Sequence, residues 1–173
     1  MHRRKFLLGG LSLLAAAAGG CSSSPAEDPQ LAAHRSRLLL AEEPDGAVSV
    51  IDAKSAAAAN ADIVILGRIA AGDMSPWDKG KAAFLVSDAA AAFDDHGHGP
   101  CEDGNCLFCK DKTSVTDTLA IVQCQDDRGE VLPIDARTLL GLEENLLVVV
   151  RGRGSVDELG NLIIAAAGIY IRR

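Results

Sequence analysis

Apolar and polar positions along this chain alternate in short segments that suggest strands more often than helices. From Asp62 onward the pattern becomes β-branched and short in period. Ile63-Val-Ile-Leu-Gly-Arg-Ile69, Ala82-Ala-Phe-Leu-Val-Ser87, Thr116–Gln125, Leu146–Arg151 and Leu162–Ile171 each read as a strand. Asp126-Asp-Arg-Gly129 and Gly160-Asn161 are turn signals between them. Glu130–Pro133 would pair back or extend the sheet. Helical signals are fewer. Leu31–Glu43 predicts a short amphipathic helix with Leu31, Leu38 and Leu39 as its apolar positions. Pro44-Asp45-Gly46 is a turn. Asp52–Ala59 is alanine-rich and predicts a second helix with Asp52 as N-cap. Asp135–Leu142 predicts a third, again with an acidic cap.

The first residues follow different physics. Met1-His-Arg-Arg-Lys5 is basic, and Phe6–Ala18 is apolar apart from glycines and one serine. That run is too short for a permanent membrane helix and reads as an export signal. Arg3-Arg4-Lys5-Phe6-Leu7 resembles the twin-arginine signal. Ala18-Gly19-Gly20-Cys21 resembles a bacterial lipobox, with Ala18 where leucine is usual, and implies lipidation of Cys21. An ordinary cleaved signal with an incidental Cys21 is the competing reading. The polar run Ser22-Ser23-Ser24-Pro25 suits a tether. The expected organisation is a signal over 1–20, a flexible tether over 21–36, and a domain over 37–173 with an insert at 89–115.

Composition bounds the core and the partners. Aromatics are scarce, with one Trp, one Tyr and four Phe, so the core must be built from Val, Ile, Leu and Ala. The net charge is −7. Losing Arg3, Arg4 and Lys5 with the signal leaves 14 basic against 24 acidic residues, or −10. Sequence-independent nucleic-acid binding needs a basic surface, so this balance argues against an oligonucleotide partner.

Five strands with a helix before the fourth is the order of an OB-fold, a small Greek-key barrel. A small β-sandwich is the alternative architecture. Val64-Ile-Leu-Gly-Arg-Ile69, the strand ending in Ser87-Asp88, Leu119–Val122, Leu132-Pro-Ile-Asp135 and Val148-Val-Val-Arg-Gly152 together resemble the OB-fold domains of small exported bacterial proteins. Over roughly Asp62 to Arg173 the chain is similar to bacterial lipoproteins whose OB-fold-like domain carries a His/Cys-rich insert between strands 2 and 3. That resemblance implies a fold and no particular activity.

The candidate chemistry sits in that insert. His96-Gly-His-Gly-Pro-Cys-Glu-Asp-Gly-Asn-Cys-Leu-Phe-Cys109 gathers two of four histidines and three of five cysteines. Thiolate and imidazole are the ligands preferred by Zn²⁺, the expected cofactor, and by Cu⁺, the alternative. Cys106-Leu-Phe-Cys109 has the spacing that lets two thiolates reach one ion across a tight turn. The favoured tetrahedral set is His98, Cys101, Cys106 and Cys109, with His96 as substitute. A set using His96, His98, Cys106 and Cys109 is the close alternative. Asp94, Asp95, Glu102 and Asp103 would solvate an exposed loop rather than ligate. A structural disulfide and a redox pair are the competing chemistries in an oxidising compartment. Against the redox pair, no βαβ pattern surrounds Cys106 and Cys109. Haem attachment is disfavoured, because Lys110 stands where a c-type motif needs His.

Two further residues carry expectations. Cys124 alternates with Ala120 and Val122 and should pack as a small apolar residue. Trp77, between strands 1 and 2, would either pack over the barrel end or offer a stacking face to a ligand. No nucleophile elbow, phosphate loop or zincin helix is present, so no enzymatic role is expected. The resulting expectation is a membrane-anchored binding module facing the periplasm or cell surface. The alternatives are a copper or metal chaperone, a thiol redox protein and, least favoured, an oligonucleotide binder.

Overall fold

A computed structural model describes residues 28–56, 60–89 and 115–172. These form a mainly β structure around one closed barrel. The strands are β1 (Ala61–Arg68), β2 (Ala83–Asp88), β3 (Leu119–Gln123), β4 (Leu147–Val156) and β5 (Leu162–Arg172). They close in the order β1-β2-β3-β5-β4, with β4 pairing back onto β1. All neighbours are antiparallel except β3 and β5, which run parallel. This is the five-stranded, OB-fold-like barrel expected from the strand pattern. Three short helices accompany it: α1 (Pro29–Leu38), α2 (Val50–Ala56) and α3 (Ala136–Leu140). A 3₁₀ turn, Val115–Thr118, leads into β3.

Strand alternation puts one set of side chains inside. Ile65 of β1, Phe84 and Val86 of β2, Ala120 and Val122 of β3, Val148 and Val150 of β4, and Leu162, Ile164 and Ile169 of β5 are all buried. Phe84 is the one aromatic among these fully buried side chains, and aliphatics fill the rest, as the composition required. The β4 strand runs past Arg151 because Gly152 and Gly154 occupy inward positions. A side chain at Gly152 would overlap the Ala165 carbonyl of β5. The register also shifts between Arg151 and Gly152, a bulge that tightens the wall there.

Two seams of the barrel are closed from outside. β1 meets β2 only through Gly67 and Arg68. Further along β1, Val48 takes up the free edge, donating to the Val64 carbonyl (3.0 Å) and accepting from Leu66 (2.9 Å). On β5, Leu40 donates to the Ile169 carbonyl (2.9 Å). The residues just before and after the turn at Gly46 thus act as extra edge pairing.

Helix α1 starts at Pro29, earlier than the Leu31 expected, and within the 21–36 segment read as a tether. Its N-cap is Asp28, whose carboxylate accepts from the Gln30 N–H (2.9 Å). It ends at Leu38 rather than Glu43, and Leu38 is buried. Arg35 donates to the Leu139 and Thr138 carbonyls of α3 (2.7 and 2.9 Å). Those are C-terminal helix carbonyls without an intrahelical partner, so α1 satisfies the end of α3. Helix α3 is capped as expected by Asp135, which accepts from the Arg137 N–H (3.0 Å), and Gly141 ends it in the left-handed region at φ +66°. Helix α2 differs from expectation. It starts at Val50, and Ser49 caps it by accepting from the Asp52 N–H (3.0 Å). Asp52 lies in the first turn, where its charge suits the helix dipole.

Candidate functional site

The two ends of the barrel are closed by different means. At the end where β2 begins and β3 finishes, α3 buries Ala136, Leu139 and Leu140. The chain after β3 turns at Gly129 and pairs back, with Leu132 donating to the Cys124 carbonyl (3.0 Å) and Ala82 donating to Leu132 (2.9 Å). Trp77 belongs to this end. Pro76 accepts from Leu85 (2.7 Å) and Asp78 donates to Ala83 (3.1 Å), which lays the Trp77 segment along β2. The half-buried Trp77 ring packs against Phe84, with centroids 6.1 Å apart at 42°. The Arg137 guanidinium sits 5.6 Å from the ring centroid, within cation–π range. Arg137 is itself held by Asp135 through two hydrogen bonds of 2.9 and 2.8 Å. That guanidinium holds the Asp135 carboxyl down at about 2, helped by backbone N–H donors. Phe84 and Arg137 thus both contact the Trp77 ring at this end of the barrel.

At the other end β2 finishes and β3 begins, and α2 packs against β1, β2, β3 and the 3₁₀ turn. Val50 and Ala53 are its buried residues. Asp88, the last residue of β2 and almost wholly buried, accepts from the Ile51 N–H of α2 (3.3 Å). Lys54 of α2 pairs with Asp117 of the 3₁₀ turn (3.0 Å). Ser87 and Leu119 are direct partners in the β2–β3 ladder. The connection between these strands therefore leaves and returns on two adjacent, paired strands, both tied to the same helix.

His96, His98, Cys101, Cys106 and Cys109 lie in that connection, outside the described residues, as do Asp94, Asp95, Glu102 and Asp103; Cys21, far earlier in the chain, also lies outside the described residues. Among the described residues no group of three or more His, Cys, Asp or Glu could hold a metal ion. His34 stands on α1, which packs against β5 and α3.

Cys124 is described, and its placement matters. It is fully buried within the core cluster, and burial pushes its thiol up to about 12, with Arg37 opposing weakly. A thiol in that state is a small apolar side chain, not a thiolate ligand or nucleophile. It also lies five residues along the chain from Leu119, or about 16 Å at strand rise. Its backbone bonds run to Ala82 and Leu132, at the α3 end of the barrel.

Sequence reasoning missed the anchoring of the connection's two ends. Lys54 and Asp117 are too far apart in the chain for any local pattern to pair them. The Ser49 cap was legible in principle, since Ser49-Val-Ile-Asp52 places a hydroxyl three residues before an acid.

Barrel topology and helix placement define a closed five-stranded, OB-fold-like module with a long β2–β3 connection. Comparison with protein-family models, with curated proteins and with solved structures found no match.

Proposed function

We propose that this chain is an exported, membrane-anchored binding module without catalytic activity, whose barrel carries a zinc-type Cys/His site on the β2–β3 connection. The observation that carries the reading is a count made meaningful by burial. Of five cysteines, Cys124 is sealed in the core and far from the connection's stem. With Cys21 lipidated, Cys101, Cys106 and Cys109 remain. Three is an odd number, so intrachain disulfides would leave one thiol over. A Cys3His site with His98 uses all three and completes a tetrahedron. The ion would order the connection, offsetting the conformational entropy of a glycine-rich segment. A stem on two paired strands adds little closure cost, since that cost grows slowly with loop length.

Metal and thiol content of the purified protein tests this. One zinc per chain is expected. After chelation, native alkylation should label Cys101, Cys106 and Cys109 and spare Cys124. Metal-free protein with two of these cysteines joined and the third free would overturn the reading.

The fifth donor supports a second reading, transfer of Cu⁺ or another soft ion. Four ligands close a structural site, whereas His96 supplies one more and gives an incoming partner an exchange route. Exchangeable Cu⁺ bound far more tightly than Zn²⁺ would favour transfer. A non-exchanging zinc would favour the staple. The anchor is tested by Cys21→Ala, which should move the chain from the membrane to the soluble fraction. An unchanged membrane fraction would remove the lipid anchor from this proposal.

A further inference from the structure

We draw no further inference here: the strongest candidate, the apolar outer face where Leu85, Ile121 and Ile163 stand abreast on β2, β3 and β5, carries nothing because nothing in the structure shows what covers it.

Discussion

The α3 end and the α2 end of this barrel solve the same problem with different materials. At the α3 end, apolar burial is continuous. Leu139 and Leu140 enter the core, Trp77 lies on Phe84, and Arg137 is fixed between Trp77 and Asp135. Helix α1 reaches over to satisfy the carbonyls of α3. At the α2 end the helix contributes only Val50 and Ala53 to the core, and polar contacts do more of the joining: Ser49 to Asp52, Ile51 to Asp88, and Lys54 to Asp117. Non-directional burial stabilises one end, while the other is a frame that holds the two ends of a connection. If the proposed metal site lies on the connection, changing it should leave the core undisturbed.

The largest expected effect is at the α3 end. Leu139→Ala should cost about 2–5 kcal/mol, because it removes a fully buried side chain at a helix–barrel contact. Urea unfolding measures this, and a cost below that of any α2-end change would break the comparison. Next is Asp135→Asn. It keeps a capping side chain but removes the charge paired with Arg137, and should cost up to about 1 kcal/mol near neutral pH. The sign of its pH dependence follows from the depressed carboxyl. An ordinary aspartate titrates near 3.8, and Asp135 in the fold titrates at about 2. Its stabilisation is therefore full above about pH 4 and fades as pH falls towards 2. The gap between wild type and Asp135→Asn should close over that window, and a gap that widens on acidification would contradict the assignment.

A smaller effect is expected from Lys54→Met. Asp117 is half exposed, and ion pairs of this kind contribute about 0.2–1 kcal/mol. The useful readout is the proposed site: loosening one end of the connection should weaken metal affinity more than it lowers the unfolding midpoint. Equal effects on both would mean the two ends are not separable. The smallest expected change in barrel stability comes from Cys106→Ser with Cys109→Ser. Bound metal should vanish, while the unfolding free energy in urea, compared with chelated wild type, moves by no more than about 0.5 kcal/mol, the range of substitutions away from the core. A large loss of barrel stability would show that the connection contributes to the fold.

Strand-level organisation was legible because alternation is a local property. Ile63–Ile69, Ala82–Ser87 and Leu162–Ile171 predict β1, β2 and β5 to within two residues. The strand expected from Leu146 to Arg151 instead runs to Val156, because Arg151-Gly-Arg-Gly-Ser has no apolar signal of its own. It becomes a strand because β1 and β5 pair with it on either side, and the β5 backbone leaves no room for a side chain at Gly152. Thr116, expected in a strand, belongs to the 3₁₀ turn, where Asp117 meets Lys54. The α2 cap was misplaced by three residues, since Asp52 and Ser49 are both good capping residues and only the backbone direction chooses between them. For the candidate site, donor types and spacing were legible in full. The support around it was not, because Asp88, Ile51, Lys54 and Asp117 meet only once the strands are paired.

By itself the sequence determined the aliphatic core, the strand order expected of a small barrel, and the concentration of thiol and imidazole donors between His96 and Cys109. Composition and short-range periodicity carry that information, and neither needs a neighbour distant in the chain. Tertiary structure decided that Cys124 points inward near Ala82 and Leu132, that Trp77 is engaged by Phe84 and Arg137, and that the connection's two ends share one helix. Each depends on which surfaces come together when a sheet closes on itself, and closure is set by long-range pairing that no local pattern contains.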